Sequence, residues 1–215
     1  MAEPTLAGPA VLRRSPLAHL EERLRAATVT GDRGVSLAEW PYITMVSVRA
    51  EPGSQAAARI EKALAADLPR VCGETTTAGP HTVLWLGPDE WLVVSQAEHP
   101  CLTAELAQAL GGDPGSVVDV SANRTTLELS GPAAREVLEK GCALDLHPRA
   151  FGPGNAVATQ VGPVPVILWQ TDEAPSYRLF PRSSFADYLA RWLLDAADEY
   201  ARPEVTGEYA RPEVT

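Results

Sequence analysis

Apolar positions along this chain recur at two different spacings, and the spacings take turns. Ser15-Pro16 reads as a helix cap followed by proline at the first helical position. Leu17, Leu20 and Leu24 then make one stripe, predicting a short helix that ends near Ala27. Gly31 to Gly34 breaks the chain. Tyr42 to Arg49 (YITMVSVR) is rich in apolar and β-branched residues and predicts a strand. Glu51-Pro52-Gly53 turns it into an Ala-rich helix over Ser54 to Ala66, which Pro69 stops. Val71 to Pro80 predicts a loop of small residues. The sharpest pattern follows in His81 to Ser95 (HTVLWLGPDEWLVVS), where two apolar runs about Pro88-Asp89 predict a tight antiparallel hairpin.

A helix over Leu102 to Leu110 leads into Gly111-Gly112-Asp113-Pro114-Gly115, which suits neither a helix nor a ladder and is the best boundary in the sequence. Beyond it, Ser116 to Val120 and Thr125 to Leu129 predict strands, and Gly131-Pro132 opens a helix closed by Gly141. Ala156 to Val161 and Val164 to Gln170 predict a second hairpin, turned at Gly162-Pro163, with a short strand over Tyr177 to Phe180. The Ser183-Ser184 cap begins a long helix whose Phe185, Tyr188, Leu189, Trp192, Leu193 and Ala196 share one face and are expected to pack on the sheet. Hairpins interleaved with single helices predict an α+β fold of mostly antiparallel sheet in two subdomains. The expected division is a flexible arm over 1–14, subdomains over 15–112 and 113–200, and a disordered tail over 201–215. That tail is doubled: EYARPEVT at Glu199 to Thr206 returns unchanged at Glu208 to Thr215. One octapeptide is too short for a solenoid repeat, and recent duplication explains it better than function.

Charge narrows the partners. The 215 residues carry 18 Lys plus Arg against 28 Asp plus Glu, a net charge of −10 that repels phosphate backbones and argues against nucleic acid. No apolar run approaches the roughly 18–20 residues that span a bilayer, and the first residues lack a signal-peptide pattern. Cys72, Cys101 and Cys142 are odd in number and far apart, which fits a reducing cytoplasm.

Chemical motifs are sparse. His19, His81, His99 and His147 are scattered, none at metal-ligand spacing with another histidine or a cysteine. No Gly-x-Gly-x-x-Gly, Walker loop or nucleophile elbow occurs, so a flavin or dinucleotide would have to be held by another chain. Asp119 and Asp145 are the candidate functional carboxylates, and for Asp119 a bond to Ser121 or a nearby amide is the simpler role. Arg124, Arg149, Arg178 and Arg182 are cations suited to a partner's carboxylates. Of the five tryptophans, Trp85 and Trp192 fit core packing on their periodicity. Trp40 and Trp169 border loops and, with Arg178 and Arg182, are the candidate interface residues. No catalytic, cofactor-binding or metal residue is assigned.

Longer segments carry a family resemblance. Trp85 to Leu92 (WLGPDEWL), Val118 to Arg124 (VDVSANR), Leu129 to His147 (LSGPAAREVLEKGCALDLH) and Arg182 to Ala196 (RSSFADYLARWLLDA) strongly resemble the gamma subunit of bacterial heterotetrameric sarcosine oxidase. The resemblance runs from about Leu17 to Tyr200. It implies a noncatalytic chain in a cytoplasmic assembly with alpha, beta and delta subunits, oxidatively demethylating sarcosine to glycine with hydrogen peroxide. The one-carbon unit would leave as formaldehyde or methylenetetrahydrofolate. It places FAD, FMN, NAD, tetrahydrofolate and zinc in partner subunits, and none in this chain.

The same resemblance implies a fold similar to the folate-binding aminomethyltransferase of the glycine-cleavage system. Those relatives carry a paired-aspartate segment and an acidic GEDGFE-like turn that helps hold folate. Here no Asp-Asp pair occurs, and Thr171 to Leu179 (TDEAPSYRL) replaces the turn, with Arg178 where an acidic residue is expected. No folate residue is therefore carried over. The rival readings are a free-standing folate-dependent one-carbon transferase, using Asp119 or Asp145 as acid/base, and the equivalent subunit of an N-methylglutamate dehydrogenase complex.

Overall fold

Strands that are covered on both faces read as continuous apolar runs, and that is how the predicted hairpins are used. The computed structural model describes residues 13–96 and 98–201. All of the doubled tail beyond Ala201, and all but the last two residues of the expected arm, lie outside them. The chain runs α1 (Glu21–Ala26), β1 (Ser36–Trp40), β2 (Thr44–Ala50), α2 (Gln55–Leu64), β3 (Thr75–Ala78), β4 (His81–Gly87), β5 (Glu90–Ser95), α3 (Leu102–Leu110) and β6 (Gly115–Asp119). It continues with β7 (Thr126–Ser130), α4 (Ala134–Glu139), β8 (Ala156–Val161), β9 (Val164–Asp172), β10 (Ser176–Pro181) and α5 (Ala186–Ala197).

Two five-stranded sheets result, ordered β3-β4-β5-β2-β6 and β1-β7-β10-β9-β8. Every strand pairing in them is antiparallel. The α+β reading with mostly antiparallel sheet holds. The sheets stack face to face through Met45, Leu84, Leu92 and Val94 from the first and Ala156, Ile167, Trp169 and Phe180 from the second. Alternate residues of the first sheet, including Val46, Val48, Trp91 and Val93, face α2 and α3 instead. The second sheet's outer face packs on α1, α4 and α5. The layers are therefore helix, sheet, sheet, helix.

The two sheets share one plan. In the first, β2 leads through α2 into the β3–β5 meander, and α3 then delivers β6 to the edge beside β2. In the second, β7, α4, the β8–β10 meander and α5 repeat that order, but the edge beside β7 is taken by β1. A strand from before the Gly111–Gly115 break thus completes the second sheet. The break itself joins α3 to β6 within the first layer. Breaker residues report local turns and carry no information about long-range pairing, so the 112/113 division and the sheets do not coincide. Close backbone passage supports β1: Gly131 has φ +109, and a Cβ there would stand 2.5 Å from the Gly34 carbonyl oxygen.

Local signals account for most elements. Ser54 caps α2, its Oγ accepting the Ala57 N–H at 3.1 Å. The loop predicted over Val71 to Pro80 instead contains β3, and β1 lies in a stretch with no predicted strand. Their sequences, TTTA and SLAEW, lack an apolar run, and pairing rather than propensity places them.

The α5 face differs from the predicted stripe. Ala186, Leu189, Ala190 and Leu193 are fully buried, whereas Phe185 and Tyr188 are 43% and 51% exposed. A 3-10 turn over Ser183–Phe185 precedes the helix, so Phe185 is not in its first α-helical turn. Alanines on the buried side let the helix sit close to the sheet, which a count of large apolar residues ignores. Trp192 is half-buried and lies across Gly141, where a Cβ would meet its ring at 2.4 Å.

Candidate functional site

Register brings three of the four candidate interface residues together. Arg178 stands opposite Glu128 on β7 and opposite Trp169 on β9, so these three side chains share a row on the face between the sheets. Ala38 of β1 extends the row beside Glu128, and Trp40 follows two residues on, on the same face. The Arg178 guanidinium lies 4.4 Å from the centre of the Trp40 ring and 5.4 Å from that of Trp169. Its Nε donates to Glu128 Oε2 at 3.3 Å.

This cluster is mostly enclosed by its own chain. Arg178 and Trp169 are 7% and 6% exposed, while Trp40 at 37% forms the outer cover. Arg178 Nη1, Trp169 Nε1 and Thr126 Oγ1 are buried without hydrogen-bond partners among the described residues. Glu128 was not legible as a member, because a glutamate alternating within TLELS looks like an ordinary solvent-facing position.

Arg182 lies elsewhere, on the exposed surface, where its backbone bridges that of Arg124. Arg124 Nη1 donates to the Phe180 carbonyl at 2.7 Å. Burial first, and then the neighbouring Arg182 charge, lower the Arg124 pKa. Around them open two grooves of about 530 and 590 Å³, with Arg124 lining both.

The two candidate carboxylates have local structural work. Asp119 Oδ1 accepts the Ser121 N–H at 2.8 Å, and Asp145 Oδ1 accepts the His147 N–H at 3.0 Å. Trp91, not Trp85, is the fully enclosed indole of the first hairpin, and its Nε1 donates to the Pro69 carbonyl at 2.7 Å. Among the described residues no three His, Cys, Asp or Glu side chains converge on a point that would hold a metal ion, and no helix is long and apolar enough to cross a membrane.

His81 and His99 meet edge to face, with ring centres 5.5 Å apart and both Nδ1 atoms buried without partners. Burial first, then the His99 charge, hold the His81 pKa below its ordinary 6.5, against a smaller opposing effect of Glu105. The unfolded chain therefore takes up a proton that the folded chain resists. The stability this neutral histidine contributes is complete above pH 6.5 and is lost as pH falls below it. Urea midpoints measured from pH 7.5 down to about 5 should fall, and His81→Gln should flatten that slope. An unchanged slope in the variant would assign the acid sensitivity elsewhere.

Comparison with known proteins agrees with this architecture. The family described as "Sarcosine oxidase, gamma subunit family" matches residues 49–199. The sarcosine oxidase subunit gamma of Corynebacterium sp. (strain U-96) is 46% identical over 206 residues, covering 95% of this chain and all of that protein. The corresponding Arthrobacter sp. subunit is 48% identical over the same coverage. In structure, the chain is similar to one from the heterotetrameric sarcosine oxidase of Corynebacterium sp. U-96 in complex with pyrrole 2-carboxylate, with a TM-score of 0.86 and 46% identity, covering 90% of this chain and 99% of that one. It shares its fold with the glycine cleavage system aminomethyltransferase T of Bartonella henselae, at a TM-score of 0.63 and 18% identity, covering 85% of this chain and 57% of that one. With a family match over most of its length and near-half identity to full-length relatives, this chain belongs to the sarcosine oxidase gamma subunit family.

Proposed function

We propose that the chain is a noncatalytic subunit of a cytoplasmic heterotetrameric sarcosine oxidase. It acts by packing against alpha, beta and delta partners and keeping their shared geometry in place. The assembly, rather than this chain, would oxidise sarcosine to glycine and hydrogen peroxide. It would release the one-carbon unit as formaldehyde or, with tetrahydrofolate, as methylenetetrahydrofolate. FAD, FMN, NAD, tetrahydrofolate and zinc would be held by the partners.

The observation that carries this reading is the match to 99% of a chain from a heterotetrameric sarcosine oxidase at 46% identity. The Arg178 cluster adds a physical reason for assigning no folate site. Where the aminomethyltransferase-like turn would place an acidic residue, an arginine is paired with Glu128 and packed between Trp40 and Trp169.

Coexpression with the three partner subunits tests the reading. The chain should copurify in fixed ratio with an active oxidase, and its omission should lower the yield or stability of that complex. Saturable tetrahydrofolate binding with one-carbon transfer by the isolated chain would overturn the reading in favour of an enzyme.

A further inference from the structure

Resting on that reading, we propose that the two grooves meeting at Arg124 are the seat for an acidic segment of a partner subunit. The first groove contains Arg124 and Arg182 with no acidic residue among its lining, and Phe185 and Ile167 give it an apolar wall. The second contains Arg13, Arg14 and Arg124 against one carboxylate, Asp119, whose Oδ1 already accepts the Ser121 N–H. Four arginines thus face one short surface of a chain whose net charge is −10.

Internal partners neutralise only part of this charge. Arg13 pairs with Glu98 and lies over the Tyr42 ring. Arg124 Nη1 is spent on a neutral carbonyl, and the Glu90 charge offsets only part of its burial and of the Arg182 repulsion. Arg14 and Arg182 have no carboxylate partner among the described residues. Arg124 and Arg182 are close enough to repel, and a carboxylate placed between them would relieve both charges.

The remaining chemistry fits a peptide. Tyr42 and Phe185, 38% and 43% exposed, stand at opposite grooves, with Tyr188 one turn beyond Phe185 at 51%. Exposed aromatics beside arginines are the composition of protein-binding hot spots. A second copy of this chain is a poor occupant, because both copies carry −10. The segment that fits is extended, bears carboxylates in its middle, and has an apolar side chain to lie against Phe185.

The test uses the full chain and its partner subunits, with association measured at low and high salt. In Arg14→Glu/Arg182→Glu, neither altered side chain has a hydrogen-bond or ion-pair partner among the described residues, so thermal stability should match the parent. Its affinity for the partner subunits should fall at least roughly tenfold at low salt, and the difference should shrink as salt rises. Arg23→Glu/Arg70→Glu changes net charge equally at other exposed positions and should retain parental affinity. Parental affinity in Arg14→Glu/Arg182→Glu, while the parent assembles normally, would overturn the docking surface and leave the subunit reading standing. Failure of the parent to associate at all would overturn both. Two further outcomes would also reassign the surface: dimerisation of the isolated parent that this variant abolishes, or saturable binding of inorganic phosphate by the parent at levels that leave assembly intact.

Discussion

Replacing Trp91 with alanine should lower the unfolding free energy by about 4 kcal/mol, the scale of large aromatic truncations in a core. The indole is 1% exposed and faces α2 and α3 from the start of β5, where the packed layers cannot easily collapse into the space. Its Nε1 bond to Pro69 adds to the loss, since the carbonyl would be left without that donor. Urea denaturation of Trp91→Ala beside Tyr188→Ala gives the comparison. Tyr188 is 51% exposed, and its truncation should stay within about 0.5 kcal/mol. Comparable losses at both positions would mean that the layer order, or the orientation of α5, is wrong.

The second large effect belongs to Arg178. Arg178→Ala should cost about 3–5 kcal/mol, because it leaves Glu128 unpaired and opens a gap between two indoles. Lysine should rescue little, since a compact ammonium cannot stack as a planar guanidinium does. The paired change Arg178→Met/Glu128→Gln should cost clearly less than Arg178→Ala, as it removes the isolated charge while filling the space. Additive losses across the corresponding double-mutant cycle would show that the two side chains do not interact.

Different parts of the molecule were legible to different degrees. The β4–β5 and β8–β9 hairpins and the helices α2 and α3 were readable because capping, turn residues and apolar runs are local signals. The edge strands were not. β1 buries only Leu37 among its five residues, and β3 buries none, so neither announces itself without its partner strand. Trp40, Trp169 and Arg178 were singled out by residue type as interface candidates, but their assembly into one enclosed row depends on β7–β10 and β9–β10 register. Glu128 became recognisable only through that register. The face of α5 was misplaced because large apolar residues weighed more than alanines in the stripe, while close helix–sheet approach favours the alanines.

The placement of β1 also imposes an order on synthesis. Residues 36–40 leave the ribosome before every other strand of either sheet, yet their pairing partner spans Thr126–Ser130. The first sheet has all its strands once Asp119 has emerged, whereas β1 must stay unpaired until β7 arrives and the second sheet must wait for β10. A nascent chain arrested when Asp119 has just cleared the ribosome should therefore present a protected β2–β6 layer and a protease-sensitive β1, its one buried strand residue, Leu37, still in search of a core.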